Sequence, residues 1–146
     1  MKVAIGCDHR GYDLKQKIME FLPGVGHTFQ DFGCYSTDSV DYPDIAGKVA
    51  EVVASGDIKR GILICGTGLG MSIAANKIKG IRAALCYDAL AASRARKHND
   101  ANILCLRGED TNISASLEIV KIFLSTEFEG GRHTRRLEKI ITLETS

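Results

Sequence analysis

Residues 60–72 read RGILICGTGLGMS, and this stretch indicates how the whole chain folds. A short apolar run ends at Cys65, three alternating glycines follow, and helix-like sequence begins after them. The run predicts a buried β-strand. The glycines predict a loop that comes close to a ligand, because glycine adopts a positive φ without steric cost. The first amides of the next helix lack helical partners and carry partial positive charge, so the stretch predicts an anion site beside a thiol.

This glycine loop has no more specific signature of its own. Its G-x-G-x-G spacing differs from the G-x-G-x-x-G fingerprint of dinucleotide-binding folds, and no acidic residue stands where that fold grips a ribose. It also lacks the Gly-Lys-Ser/Thr ending of a phosphate-binding P-loop. A cysteine at the end of a core strand is often only a small buried hydrophobe. Taken by itself, the loop predicts an anion site with either an inert or a reactive thiol.

Strand-like and helix-like patterns alternate along the rest of the chain. This alternation predicts an α/β fold, a single Rossmann-like three-layer domain over residues 1–146, with a five-stranded parallel sheet and helices on both faces. Strands one, three, four and five are almost continuously apolar, which predicts burial on both faces. The predicted strands are 2–7, 28–32, 61–65, 81–86 and 102–106, and helical spacing follows at 14–22, 45–53, 71–77, 89–97 and 113–124.

The C-terminal segment is set apart from this pattern. Glu129-Gly130-Gly131 interrupts the last regular helix, and a second helix begins after it. Leu137, Ile140 and Ile141 give that helix an apolar stripe. We therefore expect the C-terminal helix to pack on a partner subunit.

Composition and charge exclude several classes of partner. The 146 residues carry 19 basic and 18 acidic side chains, a net charge of +1, which gives no electrostatic attraction to nucleic acid or to a membrane. No apolar run approaches the roughly 20 residues of a membrane span, and no signal peptide is evident. The five cysteines show no C-x-x-C spacing, which predicts free thiols and a cytoplasmic location.

Several polar residues could carry chemistry, and each has a structural alternative. Asp8, with His9, follows strand one at the ligand-binding edge, but Asp is also a common helix cap. His98 ends a helix, where it could simply complement the helix dipole. Arg132 and Arg136 share a helix face, which is either a solvated basic surface or an anion site. Together with the thiol, they suit proton transfer on a small phosphorylated molecule, and neither a metal-ligand cluster nor a cofactor fingerprint accompanies them.

Six blocks of sequence, in order along nearly the whole chain, are more specific. They read GCDH at 6–9, DYPD at 41–44, ICGTGLGMSIAANK at 64–77, GIRAA at 80–84, HNDAN at 98–102 and EGGRH at 129–133. In these blocks the chain resembles type B ribose-5-phosphate isomerase. That family converts an aldose phosphate to its ketose through a cis-enediolate without metal or cofactor. Its wider membership includes allose-6-phosphate and galactose-6-phosphate isomerases.

The resemblance implies a role for each candidate residue. Cys65 would move the proton between C2 and C1, and the nearby helix N-terminus would favour its thiolate, the reactive form. Thr67 would hydrogen-bond the reacting end of the sugar, and His98 and Asp8 would open the furanose ring. The family's site lies between two subunits, which implies a homodimer or tetramer. The remaining expected substrate contacts are Gly66, Gly68, Leu69 and Gly70 through their amides, Asn99 to sugar oxygens, His9, Arg132 and Arg136 to phosphate, and Tyr42 at the wall.

One position departs from the family pattern. The family usually has an arginine that aids phosphate binding where this chain has Glu109. Because a carboxylate repels phosphate, we expect Glu109 to point away from the site. Whether Arg107 substitutes is left open. The alternatives to a ribose 5-phosphate isomerase are an isomerase of allose 6-phosphate or another six-carbon sugar phosphate, a non-catalytic sugar-phosphate sensor and a nucleotide-binding module of flavodoxin-like shape.

Overall fold

The computed structural model describes residues 1–145, and it contains the predicted parallel sheet. The strands lie in the order β2-β1-β3-β5-β4. All four neighbouring pairs run parallel. The α/β architecture expected from the sequence is therefore confirmed. The strands are β1 Lys2–Cys7, β2 Thr28–Asp31, β3 Arg60–Cys65, β4 Ala83–Leu85 and β5 Ile103–Arg107.

Helices cover both faces of this sheet. Alternate residues of β3 face opposite sides: Ile62 and Ile64 pack in the core beneath α1, α4 and α5, whereas Leu63 and Cys65 pack beneath α2 and α3. The Cys65 side chain therefore points toward the α2 and α3 layer. The helices are α1 Tyr12–Phe21, α2 Tyr42–Ala54, α3 Leu69–Ala75, α4 Ala89–Asn99, α5 Ile113–Ser125 and α6 Arg132–Glu144, with a 3-10 turn at Leu22–Val25.

The order of the strands fixes where a ligand can bind. β1 lies between β2 and β3, so the connection that follows β1 and the connection that follows β2 lead to opposite sides of it. In open α/β sheets, the crevice at such a switch point, outside the carboxyl ends of the strands, is the usual binding site. Here that crevice is bounded by Asp8 after β1 and by Gly66 after β3.

Strand β4 differs from its prediction. It spans Ala83–Leu85 rather than residues 81–86, and its side chains are only half-buried. It lies at the edge of the sheet, so the expectation that it is covered on both faces is wrong. The chain before it is held by side chains instead: the Arg82 amide donates to Asn102 Oδ1 at 2.8 Å and the Ala83 amide to Asn76 Oδ1 at 2.8 Å.

Helix α6 is separated from α5 by the Gly130-Gly131 break, as predicted. It contacts its own chain through His133 and Leu137, which are 6% and 8% exposed. Ile140 and Ile141 of the predicted apolar stripe are exposed, at 40% and 48%. Packing of α6 on a partner stays a prediction. Within residues 1–145, no helix combines the length and apolar character that crossing a membrane requires.

Candidate active site

The loop after β3 holds the Cys65 thiol at the floor of the crevice. The β3–β5 pairing continues beyond both strands, since the Gly108 amide donates to the Cys65 carbonyl at 2.8 Å and the Glu109 amide to the Gly66 carbonyl at 3.1 Å. The Cys65 side chain is 5% exposed, and its Sγ accepts the Gly68 amide at 3.2 Å. The Gly68 amide therefore holds the sulfur in place beside the loop.

Two glycines of this loop are required by their surroundings. Gly68 has a φ of 81°, and a Cβ there would lie 2.5 Å from Leu85 Cδ1. A Cβ at Gly70 would lie 2.5 Å from the Tyr42 ring, which packs directly over α3. Thr67 Oγ1 accepts the Leu69 amide at 3.1 Å, so two of the predicted amide donors, Gly68 and Leu69, already bond to side chains of their own loop.

Asp8 lines the opposite wall of the crevice, and His9, the next residue, is not part of the cavity lining. Asp8 is 5% exposed, and its Oδ1 accepts the amides of Arg10 at 2.9 Å and Gly11 at 3.2 Å. Asp8 thus organises the turn before α1 as well as facing the cavity. His9 Nδ1 accepts the Val40 amide at 3.3 Å. In the neutral ring this bond places the proton on Nε2, which can then donate to a ligand.

Glu109 does not point away from the site. Its carboxylate forms an ion pair with the Arg10 guanidinium at the rim of the crevice, and this hydrogen bond raises the pKa of Arg10. The expectation for Glu109 is therefore wrong, for a physical reason: a neighbouring cation neutralises it. Arg107 does not take the place of the family arginine in this cavity. Its guanidinium lies over the Tyr87 ring, 5.1 Å from the centroid, and donates to the Asp110 carbonyl.

These groups enclose a cavity of about 370 Å³. It brings together most of the residues predicted on this edge of the sheet, along with two that the sequence did not single out as ligand contacts, Arg10 and Glu109. A larger cavity of about 480 Å³ lies beside β4 and α6, but neither a thiol nor a histidine lines it. The smaller cavity is lined by Asp8, Arg10, Tyr42, Cys65, Gly66, Thr67, Gly70 and Glu109.

The other predicted site residues lie at the opposite edge of the sheet. His98 and Asn99 end α4, which runs back from the carboxyl ends of the strands to their amino ends. The Asn99 carbonyl accepts Arg82 Nε at 3.0 Å, just ahead of β4. The Glu129 amide donates to the Lys97 carbonyl at 3.1 Å, which holds the start of α6 against the same helix end. The chain therefore does not bring His98, Asn99, Arg132 and Arg136 to its own Cys65.

His133 is a further residue of this second group. Its ring stacks on His98, with centroids 4.3 Å apart and planes 13° apart, while Arg132 and Arg136 on the same helix are exposed. Glu129 Oε1 lies 3.8 Å from His98 Nε2. Burial lowers the pKa of His133, and the neighbouring His98 and Arg132 lower it further. Its sequence signal was its place in the Glu-Gly-Gly-Arg-His block, which gave no role to the histidine itself.

Within residues 1–145, no group of three or more His, Cys, Asp or Glu side chains lies close enough together to hold a metal ion.

The chain is similar to known isomerases over nearly its whole length. A family model described as Ribose/Galactose Isomerase matches residues 3–140. Ribose-5-phosphate isomerase B of Escherichia coli is 44% identical, across 98% of this chain and 96% of that protein. The solved ribose-5-phosphate isomerase B of Clostridium thermocellum superposes with a TM-score of 0.97 at 52% identity, covering 99% of this chain and 98% of that one. The enzyme of Mycoplasma genitalium, solved with bound ribulose-5-phosphate, gives 0.94 at 44% identity, covering 99% and 97%.

Proposed function

The chain belongs to the ribose/galactose isomerase family, and on that premise we propose that it interconverts ribose 5-phosphate and ribulose 5-phosphate. The main support for the proposal is the cavity that Cys65, Asp8 and Thr67 line together. The relative from Escherichia coli and both solved structures carry the name of this enzyme. A pure binding protein would need neither a thiol nor its amide donor at this point.

Cys65 is the base that moves the proton. Its thiolate takes the proton from C2 of the open-chain aldose, and the electrons shift through C1 to O1 to give the cis-enediolate. The thiol then returns the proton to C1, and the C2 carbonyl forms as the proton on O2 passes to O1. The Gly68 amide donates to Sγ at 3.2 Å and so fixes the position of the sulfur beside the loop. Backbone amides of the Gly66–Gly70 loop other than those of Gly68 and Leu69 stabilise the developing oxyanion. In other enzymes such donors contribute up to several kcal/mol.

Ring opening also requires His98, which this chain holds at the amino ends of its strands. His98 acts as the acid on the ring oxygen, and Asp8 receives the hydroxyl proton. The Arg10 and Gly11 amides both donate to Asp8 Oδ1, so we assign this proton to Oδ2. We propose a homodimer or tetramer in which a partner subunit supplies His98, Asn99, Arg132 and Arg136, while this chain contributes His9 and Tyr42. Support comes from the exposed apolar side chains of Leu69 and Ile73 on α3, 53% and 64% exposed next to the cavity.

The remaining expectations stay predictions. We expect one domain over residues 1–146, no bound cofactor, and no nucleic-acid or membrane partner. A cytoplasmic location rests on the number and spacing of the cysteines.

The test of the function is turnover by the purified full chain in EDTA. We expect ribose 5-phosphate to be isomerised faster than allose 6-phosphate, because the relatives from Escherichia coli and Clostridium thermocellum are named ribose-5-phosphate isomerase B. A preference for allose 6-phosphate would keep the reaction type and change the substrate. Binding of both sugars without turnover of either would contradict the proposal and favour a sensor.

A further inference from the structure

An ion pair lies at the rim of the Cys65 cavity, and its contribution to folding stability does not explain why it is there. Arg10 and Glu109 are paired there, although their side chains are 59% and 41% exposed. Exposed pairs of this kind contribute little to folding free energy. The pair nevertheless lies on the cavity that holds the thiol, and Glu109 is fixed beside it through its backbone bond to Gly66.

The charges around this cavity indicate that an anion needs Arg10 in order to bind there. Among its lining residues, Asp8 and Glu109 are acidic and Arg10 is the cation. A phosphate monoester brings a charge of about −1.5 to −2 at neutral pH, so the two carboxylates by themselves would repel it. Arg10 offsets one of these charges, and it is the lining side chain that can donate to an anion near the rim, where the phosphate end of a sugar chain would extend away from the buried thiol.

The geometry of Arg10 suits this role. Its backbone amide is anchored to Asp8 Oδ1 at 2.9 Å, and its Cδ lies 3.1 Å from the position of a Cβ at Gly66. The stem therefore crosses the loop that follows Cys65. One guanidinium nitrogen, Nη1, donates to Glu109 Oε1, and the exposed remainder of the fork keeps its other N–H groups for a second acceptor. Guanidinium groups bind phosphate through such paired donors.

We propose that Arg10 is a substrate-binding residue that contacts the phosphate of the sugar phosphate, and that Glu109 is a positioning residue that holds its guanidinium at the cavity rim. This inference rests on the proposed function and deepens it. It gives this chain a phosphate contact on an element, the turn after β1, from which the resemblance implied only His9. It also explains why a carboxylate is tolerated at position 109.

The test compares four variants with the wild-type chain, using ribose 5-phosphate as substrate and inorganic phosphate as competitor. For Arg10→Ala we expect KM for ribose 5-phosphate and Ki for phosphate each to rise about tenfold or more, with kcat within about threefold. Arg10→Ala/Glu109→Gln should recover part of that loss, because it removes the unpaired carboxylate. Arg10→Ala/Glu109→Arg should return KM to within about threefold of wild type, since it restores a cation to the same cavity. The matched control is Arg94→Ala, an exposed arginine of α4 that lines neither cavity.

Two results would overturn the proposal. Unchanged KM and Ki in Arg10→Ala would mean that Arg10 does not contact the phosphate. Full recovery in Arg10→Ala/Glu109→Gln would mean that Arg10 only neutralises Glu109. Calorimetric binding of inorganic phosphate separates this inference from the proposed function: phosphate that binds the wild type and not Arg10→Ala supports the site even if ribose 5-phosphate is not turned over. A wild-type chain that binds no phosphate removes the inference.

Discussion

At the scale of single residues, Gly68 fixes the environment of the Cys65 sulfur. Its φ of 81° directs its amide to Sγ, and the space where a Cβ would stand is filled by Leu85 and the Leu106 backbone. The need for glycine here followed from the sequence pattern. The need at Gly70 did not, because it comes from the Tyr42 ring, which belongs to another helix and reaches Gly70 only in the folded chain.

Replacing Gly68 with alanine tests this environment. We expect Gly68→Ala to lower the free energy of unfolding by about 1–3 kcal/mol through backbone strain and the clash with Leu85, and to reduce kcat by displacing the amide. Urea unfolding and steady-state kinetics measure both effects. Gly47→Ala is the control: apart from its chain neighbours and the backbone of its own helix, no atom lies within 4 Å of a Cβ there, so alanine inside α2 should stabilise by about 0.5–1 kcal/mol. Equal free energies of unfolding for Gly68→Ala and Gly47→Ala would contradict the expected backbone strain at position 68.

At the scale of elements, apolar periodicity located every strand and helix but not the charged groups inside them. Lys15 is 0% exposed and bonds to Asp31 at 2.6 Å and to the Cys34 carbonyl at 2.5 Å. Arg96 is 1% exposed and reaches the Thr126 carbonyl at 3.1 Å. These three partners lie 16, 19 and 30 residues away in the chain. The sequence alone therefore predicts that both charged side chains are exposed to solvent. The prediction for β4 begins two residues too early for a related reason: the Arg82 and Ala83 amides bond to side chains, which periodicity does not detect.

We expect the contact between α4 and α6 to depend on pH. The pKa of His133 is lowered from 6.5 in the folded chain, so the unfolded chain takes up the proton more readily. The stabilisation is complete above about pH 6.5 and is lost as the pH falls toward the folded-state pKa. We expect the free energy of unfolding of the wild type to decrease more between about pH 7.5 and pH 5 than that of His133→Phe, which keeps a ring against His98 without titrating.

Urea unfolding at the two pH values measures this difference. His27 also has a lowered pKa and contributes its own loss in acid, so the comparison is between variants and not between pH values of one protein. Parallel pH profiles for wild type and His133→Phe would show that the stacked pair does not couple protonation to folding.

At the scale of the whole molecule, the sheet separates the predicted site into two halves. The carboxyl edge holds Cys65 and Asp8, and the amino edge holds His98 with the start of α6. Strand alternation accounts for the first half, because it gathers the carboxyl ends of parallel strands. The second half was identified by resemblance only, since a helix C-terminus with a histidine has no pattern that marks it as part of a site.

Mixing two inactive variants tests whether two subunits complete one site. Cys65→Ala and His98→Asn each remove one half, so each homodimer should be inactive. A heterodimer would combine an intact Cys65 with the partner subunit's His98 in one of its two sites. Unfolding and refolding an equal mixture should therefore restore about a quarter of wild-type activity per subunit in a dimer. An inactive mixture, with heterodimers confirmed by mass spectrometry, would contradict a shared site.

The central claim is that the Cys65 thiol carries out the proton transfer in ribose 5-phosphate isomerisation. The most direct measurement is kcat and ribose 5-phosphate affinity for the wild type and Cys65→Ala, a change that leaves the loop backbone and its glycines in place. We predict rapid wild-type isomerisation and a loss of kcat by several orders of magnitude in Cys65→Ala, with dissociation constants within about threefold of each other. A Cys65→Ala variant that keeps wild-type turnover would contradict the account.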